Sequence, residues 1–249
     1  MPLRGVAPYV ESMETTTHLA TPSELPLRDK LLTAAFVAGP ALLCLSAGSY
    51  ALGLGILPPG NESWVEGIFG SYALALFVPV YLELSRRLSA THPRFGALTT
   101  VTGLFGATTG FALEFLRVVE YALRTNGAGD AVFAQTYAEP GGAFLSVALL
   151  GPLFPVTSIL LGAGFLRART LPSWVAASLV AAGIGFPLAQ VVGWEWGLRV
   201  TYPLATVLWL VALSYVGLRS SEPASERRNA PGATPVHLRN ARWNVLASE

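Results

Sequence analysis

Six long apolar runs, fenced by polar or proline-containing stretches, constrain this chain more than anything else in it. They extend from Leu31 to Leu57, Trp64 to Leu84, Phe95 to Leu123, Ala143 to Leu166, Ser173 to Gly193 and Leu198 to Leu218. Crossing a hydrocarbon core takes roughly 20 residues of α-helix at about 1.5 Å each, and every run meets that length. The runs are continuous, whereas a membrane barrel would show alternating segments of about ten residues. Inside hydrocarbon the backbone must pair within its own segment, which leaves helices. The expected fold is therefore all-α: a polytopic membrane helix bundle of six transmembrane helices. Composition agrees, because 52% of the residues are hydrophobic, 12% are charged and the mean hydropathy is +0.51. A water-soluble domain carries about one quarter charged residues.

Residues 1–29 read as a polar N-terminal tail, 30–219 as the six-helix domain and 220–249 as a polar, arginine-containing C-terminal tail. The first of these lacks the basic-then-apolar order of a secretory signal. Basic residues set the orientation. With the N-terminus in the cytoplasm, the inner segments hold Arg4, Arg28, Lys30, Arg86, Arg87, Arg94, Arg167, Arg169, Arg219, Arg227, Arg228, Arg239 and Arg242. The outer segments hold Arg117, Arg124 and Arg199. Thirteen against three follows the positive-inside rule and predicts both termini in the cytoplasm. Arginine replaces lysine everywhere except Lys30. That bias suggests a bacterial origin, and hence the bacterial inner membrane.

Several function classes fall away on composition. A net charge of +1 provides no basic field for nucleic acid. Cys44 is the single cysteine and lies in an apolar run, so neither a disulfide framework nor a thiolate cluster is expected. His18, His92 and His237 fall in tails or a loop without carboxylates at ligand spacing, so no metal site is expected. There is no Walker loop, nucleophile elbow, zincin helix or span histidine for haem, so no cofactor is expected.

The connections are legible too. Pro58-Pro59-Gly60-Asn61 reads as a tight turn, and Thr125 to Gly142 as the longest loop, with 131–138 as a short interfacial helix. Proline lies inside five runs, at Pro40, Pro79, Pro152 with Pro155, Pro187 and Pro203. Each removes a backbone donor and kinks its helix. Gly106 and Gly110 of the third run have the small-xxx-small spacing that admits a close neighbour, either another helix of this chain or a second copy in a homo-oligomer.

Ionisable residues within a bilayer cost a few kcal/mol each on insertion scales, so each asks for a reason. Glu114, Arg117 and Glu120 recur every three residues near the outer end of the third run and can pair along one face. Trp194, Glu195, Trp196 and Arg199 sit in the outer turn between the last two runs, and Glu66 opens the second run on the same side. A headgroup-level ion pair and an aromatic belt account for these residues structurally. The functional alternative is one polar, ligand-binding mouth that faces outward, with carboxylates available to a proton or a cation. Glu83 lies three and four residues before Arg86 and Arg87, a spacing that predicts a structural ion pair.

Two stretches carry a resemblance. One is GPLFPVTSILLGAGFLRARTLPSWVAASLVAAGI, from Gly151 to Ile184, an apolar helix that ends in Gly and Arg, turns at Leu171-Pro172 and restarts at Trp174. The other is FLRVVEYAL, from Phe115 to Leu123. Together they resemble a family of bacterial six-span membrane proteins known only as a domain of unknown function. The resemblance covers about Arg28 to Ser220, implies the six-span topology and adds weight to Arg117 and Glu120. It implies no catalytic role.

Three functions are compatible with this reading. The first is a protein that binds or moves a small molecule or lipid through the outward polar mouth. The second is a membrane-embedded enzyme acting on a lipid or isoprenoid, with Glu114 or Glu195 as general acid or base. The third is an accessory or regulatory subunit. Membrane lipids are expected partners in all three.

Overall fold

A computed structural model describes residues 27–57, 62–138, 142–191 and 195–221. The chain runs α1 (Leu27–Ala51), β1 (Ile56–Leu57), β2 (Glu62–Ser63), α2 (Trp64–Ser89), α3 (Pro93–Thr125), α4 (Asp130–Ala138), α5 (Ala143–Ala148), α6 (Leu153–Ala168), α7 (Ser173–Val191), a π-helical turn (Gly197–Thr201) and α8 (Tyr202–Ser221). The expected all-helical architecture holds apart from one small addition. Ile56 pairs with Ser63 and Leu57 with Glu62 in a two-residue antiparallel ladder. The prolines expected to form its turn lie outside the described residues.

Five segments are long and apolar enough to cross a membrane: Leu27–Ala51, Trp64–Ser89, Leu145–Ala168, Ser173–Gln190 and Gly197–Ser220. Their exposed faces are apolar, as at Leu45, Tyr72, Leu166, Ile184, Leu204 and Val211. An aqueous protein does not leave so many large apolar side chains uncovered. α3 has 33 residues and packs along α2 and α6, but its threonines and glycines make it more polar than the other five.

The expected fourth run is not one continuous helix. α5 ends at Ala148, and α6 starts at Leu153 after a tightened stretch of i to i+3 bonds, including Gly151 N–H to Ala148 O and Phe154 N–H to Gly151 O. Pro152 caps α6 and does not lie inside a helix, because a residue with no amide hydrogen is tolerated at a helix start and breaks a helix interior. Gly106 has a clear reason to be glycine. A Cβ there would fall 2.2 Å from the Phe154 backbone nitrogen and 2.5 Å from the Leu153 carbonyl carbon. The close approach allowed by the Gly106 spacing is thus taken by α6 of the same chain.

The bundle centre is aromatic. Phe77, Tyr81, Phe154, Phe186 and Trp209 stack edge-on or tilted, with centroids 5.1–5.8 Å apart, the range in which ring quadrupoles attract. Trp209 Nε1 donates to Ser158 Oγ at 2.7 Å, and Ser158 Oγ donates to the Leu179 carbonyl at 2.8 Å. One serine therefore ties α6, α7 and α8 together where no water competes for the bonds.

At one end of the bundle Glu83 accepts from Arg86 Nε and Nη2, both at 2.7 Å, and from Arg87 Nε at 2.8 Å. This is the ion pair expected from the spacing. Arg87 Nη2 reaches Ser220 of α8 at 2.8 Å, and Arg28 of α1 lines the same cavity as Ser220. The two ends of the described chain therefore meet at one end of the bundle.

Candidate functional site

The opposite end brings α1, α2, α3 and α8 together around buried charge. Ser63 starts α2: its Oγ accepts the Glu66 amide at 3.1 Å, a standard N-cap, and donates to the Leu54 carbonyl at 2.6 Å. Glu66 is thereby fixed in the first turn, where the positive end of the helix dipole favours a carboxylate. The Ser46 hydroxyl of α1 donates to the Glu66 carbonyl at 3.0 Å and pins α1 to the same turn.

Across from this turn, Arg117 Nη1 of α3 lies 2.8 Å from Glu66 Oε2 and donates to Glu114 Oε2 at 2.9 Å. The side chains are 2% exposed at Glu66, 8% at Glu114 and 17% at Arg117. Two carboxylates flank one guanidinium, so the formal charge of these three groups is −1. Glu66 Oε2 is buried and within ion-pair distance of Arg117, yet it accepts no aligned hydrogen bond. An N–H not pointed at the oxygen gives Coulomb attraction without the directional bond.

Two glycines make this packing possible. A Cβ at Gly67 would lie 2.6 Å from the Glu114 carbonyl, and a Cβ at Gly70 would lie 2.7 Å from the Glu114 carboxyl carbon and Oε2. The Glu114 carboxylate occupies the space that a side chain on α2 would otherwise fill.

Tyr202 of α8 closes the site from the fourth side. Its side chain is fully buried, its hydroxyl is 3.5 Å from Ser46 Oγ, and the charges of Glu66, Glu114 and Arg117 all bear on it. The π-helical turn positions it: the Tyr202 amide donates to the Gly197 carbonyl five residues back, just before Pro203, whose ring has no amide to give. The Tyr202 ring meets Phe186 edge-on at 5.3 Å, which links the site to the aromatic centre.

Not every expected residue joins this cluster. Glu66, Glu114 and Arg117 are brought together. Glu120 is buried as well, but it pairs with Arg124 at 2.7 Å, and Arg124 also binds Asp130 and lies 4.3 Å over the Phe133 ring. These contacts strap α4 to the end of α3. Trp64 stacks on Tyr121 at 4.8 Å beside them. Glu195 and Arg199 form an i, i+4 pair at 3.1 Å with side chains 81% and 61% exposed, a rim contact of about 0–1 kcal/mol. Trp196 is exposed, and Trp194 lies outside the described residues.

Ser46 and the two α2 glycines carried no visible signal in the sequence. Ser46 resembles any small residue of an apolar run, and Gly67 and Gly70 acquire meaning only when α3 lies across them. Among the described residues, no group of His, Cys, Asp and Glu could hold a metal ion. No family model, curated protein or solved structure matches the chain.

Proposed function

We propose that this is a six-span inner-membrane protein with both termini in the cytoplasm, which binds a small molecule bearing a cationic group at Glu66 and Glu114 near its outer end. Five crossings would leave the ends on opposite faces, whereas Arg28 and Ser220 share one cavity. α3 supplies the sixth crossing. Its polarity is largely internal, because the Thr99, Thr100, Thr102 and Thr108 hydroxyls bond carbonyls three or four residues back in their own helix. Threonines bonded in this way sit in hydrocarbon at little cost.

The observation that carries the binding reading is the pair of buried carboxylates around one guanidinium, with Glu66 Oε2 lacking an aligned donor. Buried charge is expensive in a membrane protein and marks ligand or ion pathways. An organic cation would pair with the Glu66 oxygen that has no aligned donor. Glu195 and Arg199, exposed at the rim, form the approach.

The test is a panel of organic ammonium compounds measured by thermal stabilisation of the purified, detergent-solubilised protein. A binder should stabilise the wild type and lose its effect in Glu66→Gln. Stabilisation by anions alone, or stabilisation unaffected by Glu66→Gln, would remove the proposal.

A further inference from the structure

The bundle end that carries Glu83 holds a second feature, unrelated to the outer carboxylates. Between α1 and α2 lies an open groove of about 740 Å³ walled by Leu27, Leu31, Leu32, Ala35, Leu76, Pro79 and Leu82. Its volume falls in the range of roughly 300–1,000 Å³ typical of ligand sites. Arg28, Arg86 and Glu83 stand at its polar end, and all three also line an adjoining cavity of about 270 Å³ with Arg87, Asp29 and Ser220. Arg86 commits Nε and Nη2 to Glu83 while its side chain remains 66% exposed.

We propose that this groove is a binding site for an anionic phospholipid, with an acyl chain along α1 and α2 and the phosphate between Arg28 and Arg86. Charge complementarity selects the occupant. The wall is hydrocarbon, the cap is a pair of guanidiniums that match phosphate oxygens, and basic pockets between helices at a headgroup layer favour anionic lipids. The charged residues that line the groove and the adjoining cavity, Arg28, Arg86 and Arg87 against Asp29 and Glu83, sum to +1.

The experiment is native mass spectrometry of the full chain released from detergent after incubation with phosphatidylglycerol or phosphatidylcholine of identical acyl chains. Phosphatidylglycerol should be retained preferentially. Arg28→Gln should weaken its retention by about 5-fold, and Arg28→Gln with Arg86→Gln by about 30-fold, with phosphatidylcholine unaffected. Arg28→Gln leaves the ion pairs of Glu83 in place, so a folding defect in the double variant does not decide the matter. Leu31→Trp, which adds bulk at the groove wall, should lower retention of both lipids. Equal retention of the two lipids, or a preference unchanged by Arg28→Gln, overturns the proposal. So does a dimer mass that Leu31→Trp abolishes, which would give the groove to a second copy. None of these outcomes bears on what Glu66 and Glu114 bind.

Discussion

Arg117→Leu is the sharpest perturbation of the site formed by Glu66 and Glu114. Glu66 Oε2 and Glu114 Oε2 lie 2.8 and 2.9 Å from the same nitrogen, so they are at most 5.7 Å apart. Two unit charges at that distance repel by about 3 kcal/mol at an effective dielectric constant near 20. Breaking a buried ion pair by removing one partner costs about 3–5 kcal/mol, in the same range. Arg117→Leu should therefore destabilise the protein by about 3–5 kcal/mol, read by chemical denaturation in mixed micelles. The charge argument makes a second demand: adding Glu66→Gln to the variant removes the repulsion and should recover about 3 kcal/mol. If Arg117→Leu lies within 1 kcal/mol of wild type, or the second substitution recovers nothing, charge balance is not what holds these helix ends together.

Other consequences follow from the packing. Gly106→Ala forces a Cβ to within 2.2 Å of α6 backbone and should cost more than about 3 kcal/mol, whereas Gly48→Ala, with open space around it, should be neutral or gain up to about 1 kcal/mol; thermal unfolding compares them. Gly70→Ala should displace the Glu114 carboxylate, lower stability by about 1–3 kcal/mol and weaken whichever ammonium compound the wild type binds. Trp209→Phe removes the bond to Ser158 and should cost about 1–2 kcal/mol, with loss of near-ultraviolet dichroism from the aromatic centre. With Cys44→Ser as background, single cysteines at Ala90 and Ala128, which flank α3, should label from opposite sides of the membrane in oriented vesicles; labelling from the same side defeats the six-span topology.

Sequence by itself determined the class of fold. Continuous apolar length dictates helices in hydrocarbon whatever their neighbours, and i, i+3 or i, i+4 spacing dictates local ion pairs such as Glu83 with Arg86 and Arg87. It also marked Glu66, Glu114 and Arg117, because charge near a membrane run is conspicuous. Tertiary structure alone decided that Glu66, some fifty residues before Arg117, shares its guanidinium, and that Gly67 and Gly70 give Glu114 its place. It decided as well that Ser46 and Tyr202 close the site, and that Glu195 and Arg199 stay at the rim. Local spacing is a property of one helix. Which helices lie side by side depends on packing summed over many weak contacts, and no single stretch of sequence records that sum.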